Sequence, residues 1–252
     1  MFEVTLDVLT LLLFAAFFAG FIDAIAGGGG LISLPALLLA GAGPIEALST
    51  NKVQGSFGAA AAALYYARAG QVDLKAQRVP ALVALCAGLA GALLAMQMPT
   101  ETLRVIIPVI LIGVALFFAL NRGLSDEDKT QRIRPALFTA FFVPLIGTYD
   151  GLIGPGAGSF YMIGLVTLAG YGVLKATAHT KFLNFSSNIG GLIVFAFFGA
   201  TWWLTGLAMG VAQVAGATLG AKVAVRVGVG VIRPLLVITS VALALRVFVD
   251  ML

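Results

Sequence analysis

GFIDAIAGGG, residues 20–29, and GTYDGLIGPG, residues 147–156, are two copies of one pattern set 127 residues apart. Gly20, Asp23, Gly27 and Gly29 recur as Gly147, Asp150, Gly154 and Gly156. Two residues later in register, at an offset of 129, Lys52 falls on Lys181, Gly91 on Gly220 and Arg104 on Arg233. The chain is therefore built from two similar halves. In each, a carboxylate sits late in an apolar run and is followed at once by residues that break a helix. These are Gly27 to Gly30 in the first half and Gly154, Pro155, Gly156 and Gly158 in the second.

The surroundings of both motifs are made for lipid. Of the 252 residues 60% are hydrophobic and only 10% charged, against about 25% charged in a soluble domain. The mean hydropathy is +1.06. Apolar stretches run over 8–27, 30–42, 53–67, 79–97 and 103–120, then over 136–153, 157–174, 182–200, 203–221 and 231–249. The first is preceded by Glu3 and Asp7, not by a basic segment, so it reads as a retained span rather than a cleaved signal. A full span takes about 20 apolar residues, so 30–42 and 53–67 are short and read as half-helices or a re-entrant hairpin. The fold class is an all-α polytopic membrane protein: a first repeat over 1–120, a charged linker over 121–135 and a second repeat over 136–252. Ala87 with Gly91, and Gly216 with Gly220, form small-residue seams that let helices approach closely.

Orientation follows from the basic residues. Ten of the 15 Lys and Arg fall in three loops, around Arg68 to Arg78, Arg122 to Arg134 and Lys222 to Arg233. Basic loops stay cytoplasmic, so the bundle's other ends, with Trp202 and Trp203 as interface anchors, face outward together with both termini. The two halves are then inverted relative to each other, a construction that secondary transporters use to hold substrate at the repeat interface near the membrane midplane. The basic charge is thus topology, and no nucleic-acid partner is implied. One cysteine, Cys86, excludes a disulfide framework or thiolate cage.

Intramembrane carboxylates are costly and face a cavity or a partner. Asp23 and Asp150 read either as gating or proton-coupling groups or as ion-paired carboxylates that cap broken backbone. Unwound backbone at membrane depth is tolerated where it lines a cavity, and freed N–H groups at Gly28, Gly29, Gly30, Gly156 and Gly158 would offer an anion site at half-helix tips. Downstream, Ser49 to Val53 and His179 to Asn184 add donors at the start of further apolar stretches. Asn51, Thr180 and Asn184 supply directional hydrogen bonds, and Lys52 and Lys181 supply charge, unless the lysines neutralise Asp23 and Asp150. His179, the only histidine, is read as a hydrogen-bond donor of the same set; alone it builds no metal cage. Neither a metal nor a cofactor is expected.

These residues resemble the sulfite exporter TauE/SafE family, also called the toluene sulfonate uptake permease family. The resemblance rests on GFIDAIAGGGGLISLPAL, the following STNK, GTYDGLIGPGAGSF and HTKFLN, and covers essentially the whole chain. It implies a transporter, not an enzyme, that moves sulfite, sulfonates and related small anions across a bacterial inner membrane. The second motif has Pro155 and Ala157 where the first has glycine, so equal roles for the halves are not expected. No ATP-binding loop of the GxxxxGK[ST] type is present, which leaves a proton or ion gradient or a partner as the energy source. A passive anion channel or uniporter would use the same cavity. An intramembrane aspartyl protease would need Asp23 and Asp150 to act as a dyad, and its GxGD sequence is absent.

Overall fold

A computed structural model describes residues 2–120 and 130–227. Residues 121–129 of the charged linker, the last apolar stretch at 231–249 with Arg233, and the C-terminus lie outside the described residues. Nine helices carry the described chain: α1 Leu6–Ala26, α2 Gly30–Leu39, α3 Pro44–Arg68, α4 Arg78–Gln97 and α5 Thr100–Leu120, then α6 Pro135–Leu152 and α7 Ala157–Thr167, α8 Val173–Phe198 and α9 Trp203–Val227. Among the described residues there is no strand. Helices α1, α4, α6, α8 and α9 are long and apolar enough to cross a membrane. Their outward faces carry large apolar side chains such as Phe14, Leu82, Phe141, Phe197 and Val211.

Local sequence explains where the helices stop. The backbone leaves α1 at Gly27 and Gly28, with φ of 76° and 92°, and leaves α6 through Gly154 and Gly156, with φ of 96° and 81°. Residues with a Cβ avoid that region, so the two motifs are the positions where each long helix breaks and a short one begins. The short ones, α2 and α7, have 10 and 11 residues. Pro44 starts α3, and the Glu46 carboxylate accepts the Gly43 N–H at 2.7 Å. In α6, Pro144 offers no N–H to the preceding turn, which widens into a π-helical turn over Phe138–Phe142.

One expectation changes here. The stretch 53–67 is not a half-helix: α3 runs for 25 residues from Pro44, and Ser49 to Lys52 lie inside it. Likewise α8 begins at Val173, well before 182. The polar motifs interrupt the hydropathy of these helices without interrupting the helices, because their side chains point inward and are buried.

The halves pack in a crossed manner. α1 lies on α9 and its counterpart α6 lies on α4; α4 lies on α8 and α9 on α3; α3 and α8 meet across the centre. Equivalent glycines make equivalent approaches, Gly91 against the Thr148 carbonyl and Gly220 against the Phe21 carbonyl. This pairing is consistent with two repeats related by a two-fold axis. Buried apolar side chains form two clusters. On α3 one cluster takes Ala47 and Leu48 and the other Ala62 and Tyr66; on α8 they take Val194 and Phe195, and Ala176 to Leu183. Between them along both helices lies a polar layer of Asn51, Lys52, Gln54 and Ser56 with Asn184, Ser187 and Asn188.

Candidate functional site

The two helix breaks meet at that polar layer. A Cβ on Gly30, at the tip of α2, would lie 3.2 Å from Pro155 Cα, and one on Gly158, at the tip of α7, 3.3 Å from Gly27 Cα. Ser159 Oγ donates to the Ala26 carbonyl at 2.8 Å, so the break of one half is tied to the half-helix of the other. Ser33 Oγ donates to Asn51 Oδ1 at 2.6 Å, and Tyr149 OH donates to the Pro155 carbonyl.

Between the tips is a small polar cavity with about 30 Å3 of room for the centres of water molecules. Backbone of Gly28, Gly30, Gly154, Gly156 and Gly158 lines it, with the amides of Asn51, Asn184, Asn188 and Gln213 and the carboxylates of Asp23 and Asp150.

The charges are arranged crosswise. Lys52 Nζ lies 2.6 Å from Asp150 Oδ1 and also donates to the Asp150 carbonyl. Lys181 Nζ lies 2.9 Å from Asp23 Oδ2. Each lysine thus meets the aspartate of the opposite half. Of the two roles left open for the lysines, the structure shows the ion-paired one, as an unpaired ammonium at this depth would carry the full desolvation penalty. Both lysines are buried.

The two pairs are not equivalent. Asp150 accepts from Asn184 Nδ2 at 2.8 Å and from Ser187 Oγ as well as from Lys52. Asp23 accepts one N–H, from Gly29 at 3.2 Å, besides Lys181, and its side chain keeps 13% exposure where Asp150 keeps 2%. Replacement of Gly28 by Pro155 and of Gly30 by Ala157 in the second motif accompanies this difference.

Of the residues read from the sequence, Asp23, Gly28, Gly30, Asn51, Asp150, Gly156, Gly158 and Asn184 form the cavity wall. Gly29 does not: its N–H is bound by Asp23. Thr180 is buried with no hydrogen-bond partner for its hydroxyl among the described residues, and it is not part of the wall. His179 belongs elsewhere, its Nδ1 2.6 Å from the Gln77 amide nitrogen and its ring edge-on to Tyr171. The reading missed Ser33, Gly55, Ser187, Asn188 and Gln213. A signal existed for part of this set: Thr177, Lys181, Asn184, Ser187 and Asn188 recur at three- and four-residue spacing, one face of a helix. The carboxylates form no dyad, since each is paired with a lysine.

The family model described as Sulfite exporter TauE/SafE matches residues 12–247. The chain is 53% identical over 248 residues to the probable membrane transporter protein ORF9 of Sinorhizobium sp, covering 98% of this chain and 95% of that one. It is 41% identical over 250 residues to the probable membrane transporter protein YfcA of Escherichia coli K12, covering 99% and 93%. A probable membrane transporter protein of Haemophilus influenzae is 38% identical over 248 residues, covering 98% and 97%. No solved structure matches the chain. With these matches spanning nearly its full length, the chain belongs to the sulfite exporter TauE/SafE family and is a membrane transporter, not an enzyme.

Proposed function

We propose that the protein is a secondary carrier that exports sulfite or a small organosulfonate across the bacterial inner membrane, with both termini outside and the repeats inverted. The anion binds between the halves, on the backbone of the helix breaks and the amides of Asn51 and Asn184. The observation that carries this reading is the cavity itself: two half-helix tips meet in a polar pocket walled by glycine backbone, carboxamides and the ion-paired carboxylates of Asp23 and Asp150. Half-helix tips suit oxyanions through their N–H groups and positive dipole ends, and the amides offer hydrogen bonds to several oxygens at once.

The test is a panel on purified protein of sulfite, sulfate, isethionate, taurine, sulfoacetate and acetate, by thermal shift and then by proteoliposome flux. Stabilisation and flux with sulfite or a sulfonate, without either for acetate, is the expected result. Equal response to acetate contradicts the sulfur-oxyanion assignment.

A further inference from the structure

Two aspartates line the cavity and each is ion-paired with a lysine behind it, so the formal charge of the cluster is zero before any anion arrives. Adding a sulfonate to a neutral site at membrane depth would leave an uncompensated negative charge, which such surroundings disfavour strongly. Charge balance can be restored by one proton. We propose that the carrier takes up one proton with each anion and carries both across together, export then running down the anion's own outward gradient rather than on an inward proton gradient, and that Asp23 is the group that receives the proton. This rests on the anion-carrier reading above.

The asymmetry of the pairs selects Asp23. Asp150 is held by Lys52, Asn184 and Ser187; protonating it would disturb three side chains, and opening the cavity would have to break all of them. Asp23 has one side-chain partner, Lys181, and the more exposed carboxylate. When Asp23 is protonated, its attraction for Lys181 drops to that of an ordinary hydrogen bond. The ammonium then turns to the sulfonate oxygens, and the neutral carboxyl donates its new proton to an acceptor in the cavity. The proton and the anion enter together and the site is neutral again. No other group near Asp23 fits the role. α3 presents Tyr66, whose hydroxyl donates to the Ala24 carbonyl, and Lys52, held by Asp150. α7 carries Tyr161, bonded to the Val143 carbonyl; α2 has no titratable residue, and Lys222 and Arg226 of α9 are exposed.

The proton count is measured by isothermal titration of the full chain with isethionate, and separately with methanesulfonate, in three buffers of different ionisation enthalpy. Sulfonates stay ionised across the working range, so any proton taken up belongs to the protein. We expect close to one proton per anion for the wild type, a Kd that rises about tenfold per pH unit above neutrality, and close to zero protons for Asp23→Asn. In proteoliposomes, isethionate uptake should follow an imposed pH gradient and ignore a potassium diffusion potential. Binding without proton uptake, an unchanged proton count in folded Asp23→Asn, or uptake driven by the potential would each overturn the proposal while leaving the carrier reading standing. If Asp23→Asn does not fold, the wild-type proton count and the response to the two gradients decide. Absence of binding by both sulfonates would overturn the anion-site reading itself, and this proposal with it.

Discussion

Lys181 on α8 reaches Asp23 on α1 at 2.9 Å, and the repeat-equivalent contact, Lys52 on α3 to Asp150 on α6, closes at 2.6 Å. Neither lysine meets the aspartate of its own half, so the pairs bind the halves together where the helices are broken. Breaking such a pair by removing one partner leaves an isolated buried charge, whereas removing both does not.

Lys52→Ala should therefore cost about 3 to 5 kcal/mol of stability, and Lys52→Ala with Asp150→Ala less than Lys52→Ala alone. Lys181→Ala should cost less than Lys52→Ala, since water in the cavity reaches the Asp23 it leaves behind. A double-mutant cycle read by thermal unfolding in detergent checks this. Additive losses for Lys52 and Asp150 would show that the pair contributes nothing as a pair.

Affinity should move in a different pattern. An ammonium attracts an anion and a carboxylate repels it, so a folded Lys52→Ala, Lys181→Ala double mutant should lose anion binding. Wild-type affinity in that variant, measured by titration with sulfite, would remove the lysines from the binding account.

The seam glycines give a paired test of the crossed packing. A methyl group on Gly91 would press on the Thr148 carbonyl, and one on Gly220 on the Phe21 carbonyl. Gly91→Ala and Gly220→Ala should each destabilise by about 1 to 3 kcal/mol through overpacking, and by similar amounts. A melting temperature unchanged in either would contradict the close approach of that helix pair.

How much of this could be read beforehand varies residue by residue. The helix breaks at Gly27 and Gly154 were legible because glycine and proline act through local backbone sterics, which sequence states directly. The extent of α3 was not. Its polar residues at 49–52 lower the local hydropathy, and only the tertiary contacts of Asn51 and Lys52 reveal that they remain helical and buried. The lysine–aspartate pairing was open for the same reason: spacing along the chain places Lys52 beside neither Asp23 nor Asp150, and the choice between them is made by how α3 packs against α6. His179 is grouped with the site by its position two residues before Lys181, but positions two apart on a helix point about 200° apart and its side chain goes to Gln77 instead.

Glu3 provides a pH-dependent tie at the end of the bundle. Its carboxylate accepts the N–H groups of Leu204 and Thr205 at 3.2 and 3.1 Å and the Thr205 hydroxyl at 2.7 Å, at the first turn of α9. Burial pushes its pKa up, but the bonds from Thr205 and Leu204 outweigh this and hold it below the ordinary value of 4.5. A carboxyl with a lowered pKa in the folded state stabilises fully above its unfolded pKa, and that stabilisation is lost as pH falls through the folded pKa. Glu3→Ala should therefore lower stability by up to about 1 kcal/mol at neutral pH, as loss of a helix cap does, with the difference from wild type shrinking below pH of about 4.5. A difference independent of pH would show that the carboxylate charge is not what caps the helix.

Orientation is tested by labelling cysteines introduced one at a time in a Cys86→Ala background. Val4→Cys should react with an impermeant reagent from outside and Ser125→Cys only from inside. The reverse pattern would contradict the proposed topology.

The central claim is that the anion sits in the cavity between the two helix breaks, and Gly55→Ala tests it most directly. Gly29→Ala and Gly156→Ala are less clean, because a methyl at Gly29 would press on the Ala19 carbonyl and Gly156 has φ of 81°. Gly55 lines the cavity from within α3, and a Cβ there meets only Asn188, 3.4 Å from its Oδ1, an ordinary contact. In a helix interior alanine favours folding over glycine by up to about 1 kcal/mol, so the variant should melt no lower than wild type. Titrated with the strongest ligand from the sulfite and sulfonate panel, it should bind at least about tenfold more weakly, a loss of about 1.4 kcal/mol, because the added methyl takes space the anion needs. Wild-type affinity in a Gly55→Ala protein of undiminished stability would place the anion somewhere else.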